Sequence, residues 1–266
     1  MRLARLVLSF VLILSSSSRL NSQQSVATPQ RDPQAVAVLT QMLGATGWGR
    51  LPSDGVASGI VTRFRADSQD AVTLTVKVRN GGQIRFELED PASPSTTVVN
   101  SGQAVVTSLK ETQAIPFAAA SSLQQMTMPF FSKFLNLADT SMAFRFVGTE
   151  TANGQQAYRV EIAQQIAATD LLASVRSPAA KLTIWVATAS GLPIQMESYR
   201  IATDNMGVLV KHTSQFSDFR LVAGLLIPFH QEEFTGANRL YVLQLDTVQL
   251  NVGLTDADFS LAAVQQ

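Results

Sequence analysis

Two histidines, His212 and His230, are the only side chains of this 266-residue chain whose ordinary titration lies near neutral pH. As metal ligands they would need further donors supplied by the fold. His230 is followed by Gln231, Glu232 and Glu233, which is not the H-E-x-x-H spacing that sets two imidazoles and a base on one helical face. Each histidine falls in or beside a strand pattern and reads as an ordinary surface or rim residue. Serines are plentiful, so composition leaves a Ser-His-Asp arrangement open, yet no G-x-S-x-G elbow marks a nucleophile. Gly44, Gly47 and Gly49 in GATGWG have the wrong order for a dinucleotide loop, and no strand precedes them. No P-loop sequence is present. Asp256 and Asp258 in TDADF lack the glycine and distal glutamate of a calcium loop. Glu232 and Glu233 are adjacent on a strand and point to opposite faces, which makes them poor partners in acid–base work. No cofactor or metal is implied, and the enzyme reading has no positive feature.

Composition narrows the setting. The chain has no cysteine, which excludes disulfides, zinc-thiolate sites, a thiol nucleophile and a lipidated N-terminal cysteine. Twenty basic residues balance twenty acidic ones and no basic patch stands out, which argues against nucleic acid as a partner. At the start, Arg2 and Arg5 precede an apolar run from Leu6 to Leu14 and a small-residue stretch from Ser15 to Ser18. That order reads as a signal peptide over residues 1–22, with cleavage after Ser18 or Ser22 fitting equally; an uncleaved N-terminal anchor is the alternative. The run is shorter than the ~20 residues a membrane-spanning helix needs. The expected mature chain is therefore periplasmic, not membrane-spanning and not a lipoprotein. Residues 23–31 read as a flexible lead-in and 32–266 as a single domain.

The elements follow from punctuation and period. Asp32-Pro33 is a helix start, with Ala35, Val38, Leu39 and Met42 at helical spacing and Gly44 and Gly47 at the end. From Gly55 the period becomes two. Val56, Ser58, Ile60, Thr62 and Phe64 share one strand face; Ala57, Gly59, Val61, Arg63 and Arg65 share the other. Val72 to Val78 and Ile84 to Leu88 alternate in the same way around Gly81-Gly82. Two short strands follow around Gly102. Later strands are expected over 141–148, 156–166, 181–187, 193–203, 208–220, 226–234 and 239–250, with a short helix over 168–175. Asn153-Gly154 is a type I′ hairpin pair. The 239–250 run is apolar on both faces, which implies a bulge or a strand covered on both sides. Thr255 to Phe259 is a closing turn with Phe259 tucked back.

Between these strand blocks, Ile115 to Leu137 breaks the alternation. It reads as helix interrupted at Pro129. Leu123, Met126, Phe130, Phe134 and Leu137 form one stripe, and Phe117, Ala120, Phe131 and Leu135 a second. Methionine and phenylalanine make adaptable apolar surface suited to flexible chains; the same spacing also suits an ordinary core helix. About ten one-sided strands with so few helices must curl to bury their apolar faces. The expected fold is α+β: a strongly curved antiparallel sheet, an incomplete β-barrel, with an N-terminal helix and a helical lid.

This order of elements resembles the outer-membrane lipoprotein-sorting (LolA-like) proteins. The wording is most similar in the second half. Gly148-Thr149-Glu150 through Val160-Glu161-Ile162 resembles their paired strands around an Asn-Gly turn. LTIWVATASGLPIQ (182–195) resembles their strand-turn-strand ending in Gly-Leu-Pro. FSDFRLVAGLLIP (216–228) and LNVGLTDADFSL (250–261) resemble two further segments. The likeness runs over residues 56–261, with its sharp motifs in 148–261. It implies a LolA/LolB-like half-barrel with a lid over an apolar cavity, and places a lid-contacting arginine at Arg63 or Arg65. The expected lining is Phe64, Leu74, Val76, Phe86, Leu88, Phe144, Phe146 and Ile184, with Met126, Phe130, Phe131 and Phe134 in the lid. Trp185 falls on the face opposite Leu182, Ile184 and Val186. The expected function is binding of an acyl chain, a lipid or a lipid-modified protein, with an envelope protein as a further partner. The alternatives are a non-catalytic structural or interaction module with a packed core, and a hydrolase with a cryptic site.

Overall fold

The structure is a computed structural model and describes residues 29–49, 52–79, 82–115, 135–166, 180–201 and 208–262. The expected signal peptide, most of the lead-in, the lid residues Met126, Phe130, Phe131 and Phe134, and the 168–175 helix lie outside the described residues. No described helix is long and apolar enough to cross a membrane.

The first element is α1 (Pro33–Thr46). Asp32 caps it by accepting the amide of Gln34, 2.8 Å away, and proline occupies a position whose N–H would go unused. Gly47 ends it in the left-handed region, at φ 77°. The same Asp32 carboxylate also accepts the Phe146 amide, at 3.3 Å. Asp32→Ala removes both contacts and is expected to cost about 1–2 kcal/mol, read as a shift of the urea midpoint.

Thirteen strands follow among the described residues. They are β1 (Asp54–Phe64), β2 (Gln69–Arg79), β3 (Gln83–Glu89), β4 (Ser95–Asn100), β5 (Gln103–Ser108) and β6 (Thr112–Ile115). After them come β7 (Met142–Ala152), β8 (Gln155–Gln164), β9 (Lys181–Ala187), β10 (Pro193–Ile201), β11 (Leu209–Val222), β12 (Leu225–Thr235) and β13 (Asn238–Leu250). All lie in one antiparallel sheet of order β6-β5-β4-β3-β2-β1-β13-β12-β11-β10-β9-β8-β7. The strand most clearly beyond the expected set is β6, which takes the start of the segment read as helix. Open sheets of more than ~10 strands curl rather than stay flat. Register shifts at Ser58/Gly59, Phe146/Gly148, Pro193/Gln195 and Glu233/Phe234 supply bending points. The sheet is an open, curved half-barrel.

The order has a topological consequence. Among the described residues, strands β6 and β7 are consecutive and form the two edges of the sheet. The connection between Ile115 and Met142 therefore joins one edge to the other. Among the described strands, the two meanders, β1–β6 and β7–β13, are hydrogen-bonded to each other only where β1 pairs with β13.

Local sequence explains most turns. Asn153 and Gly154 both have positive φ, as a type I′ turn requires. The closing 3₁₀ turn, Asp256–Phe259, buries Phe259 completely. Lys77 reaches Asp258 at 3.1 Å, Arg79 pairs with Asp256 and lies over the Phe259 ring, and Asn100 donates to the Phe259 carbonyl.

Candidate functional site

Directly opposed residues of an antiparallel pair point to the same side of a sheet. Following the pairing strand by strand thus traces the inner face. On β1 and β2 it carries Ala57, Gly59, Val61 and Arg63 opposite Val76, Leu74, Val72 and Asp70. Leu74, Val76 and Val78 oppose Leu88, Phe86 and Ile84. Val61 opposes Leu243, which opposes Gln231, which opposes Phe216. Ser214 opposes Met196, Met196 opposes Ile184, and Ile184 opposes Val160.

Two apolar clusters sit on this face. The larger packs Ala35, Val38, Leu39 and Met42 of α1 against Phe144, Val160, Ile162, Ile184, Met196, Phe216 and Ile227. Leu135 and Leu137, at the end of the connection between the sheet edges, join it. Arg31 fastens this end by donating to the carbonyls of Leu137 and Asp139, with its guanidinium over the Phe144 ring. Trp48 closes the other side, donating from Nε1 to the Leu226 carbonyl. The second cluster contains no residue of α1. It consists of Val61, Val72, Leu74, Val76, Val78, Ile84, Val99 and Ala104, with Phe86, Leu88, Ile115, Tyr241 and Leu243 only partly buried against it.

Between the clusters the inner face turns polar. Glu233 on β12 is fully buried and accepts from three groups. Arg200 Nη2 lies 2.7 Å from its Oε1, His212 Nδ1 3.0 Å from the same oxygen, and Ser214 Oγ 2.5 Å from Oε2. The Arg200 side chain is 9 % exposed and that of His212 14 %. Tyr241 stands directly opposite Glu233 on β13, and its hydroxyl accepts from Gln231. Burial pushes the Glu233 carboxyl up, but the His212 hydrogen bond, the Arg200 charge and the Ser214 hydroxyl together hold it below its ordinary value. Burial, reinforced by Glu233, pushes the Tyr241 hydroxyl far above its ordinary range. Farther along, Arg63 donates to Asp70 and Asp90, at 2.9 Å and 2.6 Å, and these bonds hold both carboxyls low.

The arrangement is a shared-carboxylate cluster and not a nucleophile relay. A relay needs the serine hydroxyl hydrogen-bonded to the imidazole and the imidazole oriented by the acid. Here Ser214 and His212 both converge on Glu233. Among the described residues, no group of three His, Asp or Glu side chains is placed to hold a metal ion.

The expected lining divides into three groups. Leu74, Val76, Phe86 and Leu88 lie on the inner face in the second cluster. Phe144 and Ile184 also lie inward, but each is fully enclosed in the α1 cluster, with Phe146 partly buried beside it. Phe64 is corrected: it lies on the outer face, in phase with exposed Ile60 and beneath the Arg239 guanidinium. Both faces of β1 carry apolar residues, and pairing with β2 turns Val61 inward instead. Trp185 is on the outer face, clustered with Ala152, Ala157, Ala187 and Ile194, and donates to Glu150. Of the arginines weighed for a lid contact, Arg63 faces inward and Arg65 pairs with Asp70.

His230 is an outer-face residue beside Gln244 and Glu232. His212 is corrected: it is an enclosed member of the inner cluster, not a rim residue. Sequence reading missed Arg200, Ser214 and Tyr241 and the burial of Glu233. A signal was present. Glu233 falls in phase with Ile227 and Phe229, and His212 and Ser214 with Phe216, so alternation places all three inward.

No family model and no curated relative matches the sequence. Solved structures match at the level of fold. A LolA superfamily protein from Nitrosomonas europaea superposes with a TM-score of 0.57 at 16% identity, over 85% of this chain and 97% of that one. A DUF1329 family protein from Desulfovibrio piger gives 0.58 at 14%, over 87% and 99%. A domain described as an outer membrane lipoprotein-sorting protein, from Vibrio parahaemolyticus, gives 0.54 at 15%, over 85% and 96%. With an open curved sheet, an N-terminal helix and the strand order given above, this chain has the LolA-like half-barrel fold.

Proposed function

We propose that this protein works in the cell envelope as a non-catalytic carrier, holding an acyl chain, a lipid or a lipid-modified protein against the inner face of its half-barrel. The observation that carries this reading is the asymmetry of the inner face. Helix α1 covers the β7–β12 side, where Phe144, Ile162 and Ile184 are buried beneath it, whereas the cluster on β1–β5 includes no α1 residue and keeps Phe86 and Leu88 only partly buried. The ligand is assigned to that second side, with Leu74, Val76, Phe86 and Leu88 as its floor. Phe144 and Ile184 serve as core. The Met- and Phe-rich connection runs from one sheet edge to the other, and Met126, Phe130, Phe131 and Phe134 are assigned to a lid across the opening. The LolA-like fold and the expected export signal agree with such a role.

Native mass spectrometry of protein purified from the envelope tests this. The wild type is expected to carry lipid or lipopeptide. The Phe86→Asp/Leu88→Asp and Phe130→Asp/Phe134→Asp pairs are each expected to lose it, with about tenfold or weaker uptake of a fluorescent fatty acid, because a buried carboxylate cannot replace apolar contact. A wild-type protein that purifies empty and takes up no fatty acid overturns the reading.

A further inference from the structure

The cluster around Glu233 leaves one group unaccounted for. Arg200 spends Nη2 on Glu233, and its Nη1 lies 3.1 Å from His212 Nδ1. Its Nε is buried and has no hydrogen-bond partner, although the side chain is nine-tenths enclosed. A buried donor without an acceptor is costly and rare, so an N–H held in this state is a place to look for a ligand. Arg200 sits on the inner face, opposite Val210 and in phase with Met196. Tyr241, directly opposite the Glu233 that Arg200 pairs with, packs against the apolar cluster of β1–β5. The free donor thus stands next to the surface assigned above to an acyl chain.

We propose that Arg200 Nε is the head-group contact of the concavity, donating to the carbonyl oxygen of an ester or amide that begins the bound acyl chain. This rests on the carrier reading and adds the chemical class of the ligand's head.

Charge selects a neutral carbonyl over a carboxylate or phosphate. The Arg200 cation is already balanced by the Glu233 anion 2.7 Å away. An anionic head would bring a second negative charge into the same enclosed space, with no unpaired cation beside it among the described residues. The neighbouring Arg63 is likewise taken, by Asp70 and Asp90. A single free N–H also suits one acceptor oxygen, whereas a carboxylate is gripped best by a guanidinium fork offering two. A neutral ester or amide oxygen is cheap to desolvate and satisfies the orphan donor.

The test compares three ligands with one chain length: monopalmitoylglycerol, palmitate and hexadecane, each displacing a fluorescent probe from the full chain. Wild type is expected to bind the ester about tenfold tighter than palmitate. Arg200→Lys keeps a cation beside Glu233 but removes the Nε donor. It is expected to lose about tenfold for the ester and nothing for hexadecane. A measurement on the unaltered protein guards against misfolding of the variant: the ¹³C-carbonyl stretch of bound ester should shift down relative to ester in hydrocarbon. A free-carbonyl frequency, or palmitate bound as tightly as the ester, overturns the Arg200 assignment and leaves carriage standing. Failure of all three ligands to bind overturns the carrier reading itself.

Discussion

Replacing Glu233 with alanine is expected to lower the stability of this protein by about 3–5 kcal/mol, among the largest losses open to a single side chain. The reason is what the change leaves behind. Arg200 stays enclosed with its charge uncompensated, and Ser214 and His212 lose their acceptor. Breaking a buried pair costs far more than the pair contributes net, because the orphaned ion still lacks water. A second variant separates the two terms. Arg200→Met/Glu233→Leu removes both charges together and is expected to recover most of the loss, measured as the free energy of urea unfolding. Recovery of less than half would show that the cluster contributes through its geometry and not merely through charge balance.

The same group sets an acid dependence. The folded Glu233 carboxyl lies below its ordinary value of 4.5. A depressed carboxyl binds its proton more weakly when folded than when unfolded. Its contribution is therefore present above the unfolded value and drains away as pH falls through the folded one. Glu233→Gln should flatten the decline of stability between about pH 5 and about pH 3. An unchanged slope in that window would remove Glu233 from the acid response.

Gly59→Ala carries the second large effect. An added Cβ would stand 2.1 Å from the Gln244 carbonyl oxygen, 2.7 Å from Leu245 Cα and 2.9 Å from the Gln244 carbonyl carbon. All three are backbone atoms, so no side-chain rotation relieves the clash. The site is the register shift where Ser58 pairs with Thr247 and Gly59 with Leu245, leaving Asp246 as the extra residue. That bulge brings β13 close over β1, and only glycine admits it. Because β1–β13 is the one strand pairing between the two meanders among the described residues, the damage should spread beyond the site. The expected cost is about 3 kcal/mol, with loss of amide protection along Ile60–Arg63 and Tyr241–Gln244 ahead of the rest. Gly44→Ala is the control, since its Cβ meets nothing within 4 Å. In a helix it should stabilise by about 0.5–1 kcal/mol.

Among the described residues, several local signals match the fold where the cause is itself local. Asp32-Pro33 starts a helix because a carboxylate and a missing N–H suit its first turn. Asn153-Gly154 makes a type I′ hairpin because both residues tolerate positive φ. Strict alternation in Val72–Val78 and Ile84–Leu88 sorts one apolar face from one wet face before any partner is known. The order of these signals is enough to call a curved sheet with a helix in front.

What they do not settle is decided by register between strands. Both faces of β1 hold apolar residues, so its own sequence does not say whether Phe64 or Val61 turns inward; the pairing with β2 does. Glu233 looks like half of an adjacent acidic pair until β12 is set between β11 and β13. Only then do Arg200, His212 and Ser214, from 19 to 33 positions earlier in the chain, meet its carboxylate on one face. Alternation tells which side a residue takes. Which residues stand beside it on that side follows from hydrogen bonds between distant segments, and those exist only in the folded sheet.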